Sequence, residues 1–216
     1  MRNNIIEAVK KEKLVVIVRG VPREKLIPLA EAMYDGGIKL LEITFSQDGK
    51  ITDEETARRI TMLADAMKGR MYIGAGTVTS PEQVELVKKA GGLFIISPDT
   101  CAEVIKKTRE LGLVSMPGAL TPTEVMTAHK AGADFVKLFP LGELGASYLK
   151  ALKAPLSGID FLAVGGVNLD NISELLRAGA SGFGVGSNIV NPELVKAEKY
   201  GELTALARAY VAAVSN

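Results

Sequence analysis

Short runs rich in Val, Ile, Leu and Phe alternate with longer amphipathic segments along the whole chain, and no Ser-rich linker, composition shift or low-complexity stretch interrupts them. This βα alternation constrains the fold more than any single motif. Parallel strands joined by helical crossovers bury both sheet faces, either in a closed barrel or in an open doubly wound sheet. Strands are expected near residues 14–19, 40–45, 71–75, 93–97, 113–116, 134–139, 161–165 and 182–186, each followed by a helix, with an extra helix at 3–12 before the first. Spread over 216 residues, these units have about 27 residues each, which fits a (β/α)8 TIM barrel with few insertions. The open sheet lacks its usual mark: no Gly-x-Gly-x-x-Gly opens the first βα turn, and polar residues recur at the ends of successive strands. The expected fold class is therefore α/β, a single (β/α)8-barrel domain over residues 1–216 with an extra N-terminal helix.

Helix boundaries support this phase. Asp99 or Thr100 is placed to cap a helix near 101–111, Thr121-Pro122-Thr123-Glu124 reads as a cap with proline in the first turn, and Asn168 precedes Leu169-Asp170-Asn171. Glycines at Gly36-Gly37, Gly91-Gly92, Gly112, Gly132 and Gly179 stand where helices should stop before the next strand.

Composition narrows the function. A formal net charge of +1 with scattered basic residues argues against a nucleic-acid or membrane-surface partner, and 47% hydrophobic content supplies a large core. The segment Met1 to Glu7 has no long apolar run, and no later run reaches bilayer-spanning length, so the expected location is the cytoplasm and the expected partner a small molecule. The only cysteine, Cys101, has no internal disulfide partner, and the only histidine, His129, lies in a helical pattern and reads as a solvated helix residue. Metal ligation by Cys and His is not expected, nor is a Ser-His-Asp or Cys-His site.

In a (β/α)8 barrel the active site lies at the carboxyl ends of the strands. Arg19 ends the first strand, Glu42 and Thr44 lie in the second, Thr77 follows the third, and Ser97-Pro98 follows the fourth. Met116-Pro117-Gly118 follows the fifth, Lys137 lies in the sixth, and Gly165-Gly166 and Gly186-Ser187 follow the seventh and eighth. Lys137 stands inside the apolar run Phe135-Val136-Lys137-Leu138-Phe139, where burial would lower its pKa and make the amine a nucleophile. The alternative is a strand-end lysine whose stem packs while its head reaches water. Strand alternation sets Leu40, Glu42 and Thr44 on one face and Leu41, Ile43 and Phe45 on the other, and puts Phe135, Lys137 and Phe139 together. A carboxylate and a lysine in one cavity form either a structural ion pair or a nucleophile with its acid–base partner.

Gly165-Gly166 and Gly184-Val185-Gly186-Ser187 are read as lying just before helices, where uncovered backbone N–H groups would hold a phosphate; the alternative is glycines that serve only as tight turns. Gly74-Ala75-Gly76-Thr77 would let a substrate approach the backbone, with the Thr77 hydroxyl facing the cavity. Arg19 suits bidentate recognition of a carboxylate or phosphate, unless it makes a surface ion pair.

The set Glu42-Ile43-Thr44-Phe45, Gly74-Ala75-Gly76-Thr77-Val78, Ile96-Ser97-Pro98, Met116-Pro117-Gly118, Val136-Lys137-Leu138-Phe139-Pro140 and Gly165-Gly166-Val167-Asn168 closely resembles the bacterial 2-keto-3-deoxy-6-phosphogluconate aldolases, in order and in register from about residue 14 to 190. The resemblance implies a class I aldolase, typically homotrimeric, with a Schiff base on Lys137, acid–base work by Glu42 and no cofactor. It further implies a pyruvyl pocket shaped by Thr77, Pro98 and Phe139, with phosphate bound by Gly165, Gly166, Gly186 and Ser187. The implied substrate is the phosphorylated keto-deoxy sugar acid, cleaved to pyruvate and glyceraldehyde 3-phosphate, with 4-hydroxy-2-oxoglutarate as a further candidate. Two positions depart from the pattern. Ser46 stands where some members carry an arginine, and Arg19 looks like its substitute; Ala163-Val164 stands where the glucose-type enzymes tend to have Pro-Thr, and is similar to galactose-type relatives. Two other readings of the chain are a phosphosugar isomerase or epimerase using Glu42 as base, and a non-catalytic phospho-ligand sensor.

Overall fold

The computed structural model describes residues 2–215. Helix α1 (Arg2–Glu12) precedes β1 (Leu14–Val18), and the chain continues through α2 (Leu26–Asp35), β2 (Leu40–Thr44), α3 (Asp53–Ala66), β3 (Tyr72–Gly76), α4 (Pro81–Lys89) and β4 (Phe94–Ile96). Then follow α5 (Ala102–Glu110), β5 (Val114–Met116), β6 (Gly118–Ala119), α6 (Pro122–Ala131), β7 (Val136–Leu138), α7 (Gly145–Lys153), β8 (Phe161–Val164), α8 (Ile172–Arg177), β9 (Gly182–Val185), α9 (Pro192–Lys196) and α10 (Tyr200–Ser215).

All strand pairs are parallel, in the order β5-β4-β3-β2-β1-β9-β8-β7-β6. This is the expected barrel, with nine strand segments where eight strands were read. The fifth strand is divided at Pro117, which has no N–H to give to a ladder. Its first half, β5, pairs with β4, its second half, β6, pairs with β7, and the Lys137 N–H donates to the Pro117 carbonyl at 2.9 Å across the seam.

Alternation along the strands sorts apolar side chains into two cores. Leu41, Ile43, Phe45, Val136, Leu138, Phe161 and Phe183 face the helices. Val15, Leu40, Phe94, Ile96, Val114, Met116, Phe135 and Leu162 fill the barrel interior, and α1 adds Ile5 and Val9 to this inner core. Each such side chain, taken fully out of water, contributes about 1.5–3 kcal/mol. Asp134 ties α1 into place: its carboxylate accepts from Arg2, from Arg109 at 2.8 Å and from the Ser115 N–H at 2.9 Å. The last helix, α10, packs on α2, where any Cβ at Gly36 would run into Ala207.

The helix signals hold except at α5 and at α8, where Asn168 braces a turn and the N-cap is Asn171 without a side-chain bond. Thr121 and Glu124 form a reciprocal capping box, and Gly37, Gly91, Gly112, Gly132 and Gly179 all adopt positive φ. Neither Asp99 nor Thr100 caps α5. Its N-cap is Cys101 without a side-chain bond, because the Thr100 hydroxyl donates instead to the Gly118 carbonyl at 2.6 Å. His129 is exposed on α6. Among the described residues no helix is long and apolar enough to cross a membrane.

Candidate active site

A cavity of about 460 Å³ opens at the carboxyl ends of the strands, and Arg19, Glu42, Thr77, Pro98, Lys137, Phe139, Gly165, Gly166, Gly186 and Ser187 all line it. Strand parity puts them there. Glu42 follows Leu40 and Lys137 follows Phe135 on inward positions, one layer above the inner core.

Both charged groups are buried, Glu42 at 2% exposure and Lys137 at 7%. Burial pushes the Glu42 carboxyl up to about 7, against the opposing pull of Lys137 and Arg19. Burial likewise lowers the Lys137 pKa; the Glu42 charge opposes that shift and the Arg19 charge adds to it. The two groups form no ion pair within 4.0 Å, and Glu42 Oε2 is buried with no hydrogen-bond partner. A structural ion pair would have satisfied that oxygen. Gly76 makes room for the carboxylate, since a Cβ there would collide with it. The Lys137 Nζ lies 4.7 Å from the centroid of the Phe139 ring, and Phe139 is 40% exposed at the rim.

Thr77 is held at φ +57°, a conformation that costs an L side chain roughly 1–2 kcal/mol and persists only where its surroundings impose it. Its hydroxyl accepts from Arg19 Nη2 at 3.1 Å. Arg19 is exposed and has no carboxylate partner among the described residues, so its charge is available to an anion in the cavity.

The glycine loops differ from expectation in one respect: neither stands directly before a helix. Gly165 (φ +86°) and Gly166 (φ +74°) lead into an asparagine-braced turn at 168–171, and α8 begins only at Ile172. Gly186 opens a single helical turn, its carbonyl accepting from the Ile189 and Val190 N–H groups at 2.9 Å each, and α9 begins at Pro192. The backbone N–H groups of Gly165, Gly166, Gly186 and Ser187 have no acceptor among the described residues. These open N–H groups lie in loops, ahead of α8 and α9.

Residues 5–206 match the family model "KDPG and KHG aldolase". The chain belongs to this family. Its relatives include the 2-dehydro-3-deoxy-6-phosphogalactonate aldolase of Escherichia coli, 36% identical across 83% of this chain and 85% of that one. The 2-dehydro-3-deoxy-phosphogluconate aldolase of Treponema pallidum is 31% identical across 94% of each chain. Among solved structures, the KDPG aldolase of Legionella pneumophila, captured with pyruvate as a covalent carbinolamine, superposes with a TM-score of 0.85, at 29% identity, over 94% of this chain and 97% of that one.

Three polar side chains of this aldolase's cavity escaped the sequence reading: Gln47, Thr79 and Asn188. Thr79 lies beyond the end of β3, and alternation along that strand, which sets Ile73 and Ala75 toward the helices, would have pointed it away from the cavity; the left-handed turn at Thr77 resets the phase. Asn188 directly follows Gly186-Ser187. Gln47 gave no signal, because it lies in the irregular segment between β2 and α3, where no period fixes direction. Ser46 does not line this cavity, and its hydroxyl is engaged with Asp48.

Proposed function

We propose that this aldolase works through a Schiff base on Lys137, with Glu42 as acid and base, and cleaves 2-keto-3-deoxy-6-phosphogluconate and its C4 epimer to pyruvate and glyceraldehyde 3-phosphate. The observation that carries this reading is the unpartnered Glu42 carboxyl sharing a buried cavity with a lysine whose pKa is lowered. Burial disfavours the form with both groups charged, so a single shared proton is drawn to the carboxyl and the amine is left free. Neutral Lys137 attacks the C2 ketone. Glu42 gives its proton to the departing hydroxyl, so that water leaves and an iminium forms. The carboxylate then takes the C4 hydroxyl proton as the C3–C4 bond breaks, the aldehyde leaves, and the bond's electrons settle in an enamine. The same proton returns to C3, and water hydrolyses the pyruvyl iminium to free Lys137. Neither a metal ion nor an organic cofactor enters this cycle. The open N–H groups of the two glycine loops suit the 6-phosphate, and Arg19 suits the carboxylate. A homotrimer, as the family resemblance implies, in the cytoplasm, as expected from the sequence, completes the reading. Borohydride reduction in the presence of pyruvate tests it: one stable pyruvyl adduct, mapped to Lys137, is expected, and its absence would leave the isomerase or sensor reading.

Arg19→Ala is expected to raise the KM for the sugar acid, because a hydrogen bond to a charged group contributes about 1.5–3 kcal/mol, or roughly 10- to 150-fold. Steady-state kinetics check this, and unchanged KM and kcat would return Arg19 to a purely structural part.

Val164 is 5% exposed, faces the cavity, and follows Ala163 on β8. Its apolar wall gives no hydrogen bond to either configuration of a C4 hydroxyl, so relaxed selectivity is expected, in keeping with relatives named for each epimer. The ratio of kcat/KM for the two pure epimers should lie below about 100-fold and move toward the gluconate form in Val164→Thr. A stronger preference in the wild type, or no movement in the variant, would contradict this.

A further inference from the structure

The β8–β9 ladder ends at the pair Val164 and Gly184, and the two glycine loops continue past it without shared backbone bonds. Something must fix their separation if both are to contact one anion, since the Gly165 carbonyl is anchored at 2.7 Å to the Gly142 N–H of the loop after β7 and not to the loop after β9. One bond spans the gap among the described residues: Asn188 Nδ2 donates to the Val167 carbonyl at 2.8 Å. The neighbouring carbonyl, that of Gly166, accepts from Asn171 Nδ2 at 2.9 Å and Asn168 Nδ2 at 3.4 Å. Two successive carbonyl oxygens, each of which would repel an anion, are thereby held by carboxamides. The N–H groups of Gly165 and Gly166 are left without a protein acceptor. Asn188 is itself fixed by the helical turn that Ile189 and Val190 close on the Gly186 carbonyl.

We propose that Asn188 is a positioning residue that locks the two glycine loops into one phosphate cradle. It acts through the Val167 carbonyl and sets the spacing between N–H donors on the two loops, and so tunes affinity for the phosphorylated end of the substrate without touching the chemistry at Lys137. This rests on reading the loops as the phosphate site. A rigid cradle needs no rearrangement on binding; a loosened one must be ordered by the anion at the expense of affinity.

The test compares 2-keto-3-deoxy-6-phosphogluconate with unphosphorylated 2-keto-3-deoxygluconate, using the full-length enzyme and Asn188→Ala. Loss of one hydrogen bond is expected to raise the KM for the phosphorylated substrate, and the inhibition constant of inorganic phosphate, about 3- to 10-fold. The kcat for that substrate, the kcat/KM for the unphosphorylated one and borohydride trapping of pyruvate should stay as in wild type. Asn188→Asp keeps the shape but replaces the donor with a carboxylate facing the Val167 carbonyl, and is expected to do more damage to the same two constants. Asn188→Gln, which keeps the amide, should recover part of the loss. Equal losses on both substrates, or an unchanged KM and phosphate inhibition constant in the Ala and Asp variants, would overturn the assignment. A wild-type enzyme that handles the two substrates alike would instead remove the phosphate reading of the loops, and the role of Asn188 with it.

Discussion

Lys137→Ala is expected to give a folded barrel with no measurable cleavage, a loss on the order of 10⁵-fold or more, because the covalent route disappears with the amine. No other lysine among the described residues is buried; Lys39 is half-buried and Lys150 exposed. Borohydride trapping with pyruvate should therefore vanish in the same variant, and trapping that persists at full yield on another lysine would end the assignment. Truncation to alanine also leaves space in the barrel, so Lys137→Met is the companion variant. It fills the same column with an apolar chain and removes a group whose charged form the barrel disfavours. Since the folded pKa of Lys137 is lowered, the native state is penalised as pH falls below 10.5, where the unfolded lysine takes up a proton and the buried amine does not. Lys137→Met should thus be at least as stable as wild type at neutral and mildly acidic pH, by thermal melting, and equally inactive. An inactive but well-folded pair of variants separates chemistry from folding.

Much of this site was legible in the sequence because two simple periodicities cooperate. Alternation along β2 and β7 determines that Glu42 and Lys137 point inward, and the repeat of βα units determines that strand ends share one mouth. What stayed illegible depends on local backbone geometry that no period encodes. Pro117 was visible as a strand-end residue, but Gly118–Ala119 is too short to read as the other half of a strand whose partner is remote in sequence. Thr77 belongs to a β-branched type for which a left-handed conformation is disfavoured, so its φ of +57° had no local signal. The Gly-Gly and Gly-x-Gly segments suggested helix N-termini, whereas their donors lie in loops shaped by Asn168, Asn171 and Asn188. The Asn188 bond to Val167 forms only once the barrel has brought the seventh and eighth units together, whereas the Asn168 and Asn171 bonds are local to one loop.

Glu42→Gln should separate binding from proton transfer. The isosteric amide still fills the space opposite Gly76, but it can neither supply a proton to the departing C2 hydroxyl nor accept one from the C4 hydroxyl. A loss in kcat of about 10²- to 10⁴-fold is expected, with pyruvyl adduct still detectable by borohydride trapping. Near wild-type turnover would show that water or another group moves the proton. The pH profile adds a signed test. In the wild type the amine must be free to attack, so kcat/KM should rise with pH as the coupled pair sheds its first proton, at a pH that burial sets below the ordinary lysine range. In the variant that limb belongs to Lys137 alone. The Glu42 charge raises the Lys137 pKa, so removing it lowers that pKa further and should move the limb toward acid. Stability must follow the same groups: unfolded Glu42 releases its proton near 4.5 and the native carboxyl only near 7. The wild type therefore loses stability as pH rises between those values, by about 3 kcal/mol at full effect, and Glu42→Gln escapes that loss. Melting curves should accordingly show the variant gaining on the wild type from pH 5 to pH 8; a constant difference across that range would mean that the carboxyl is not held protonated by its burial.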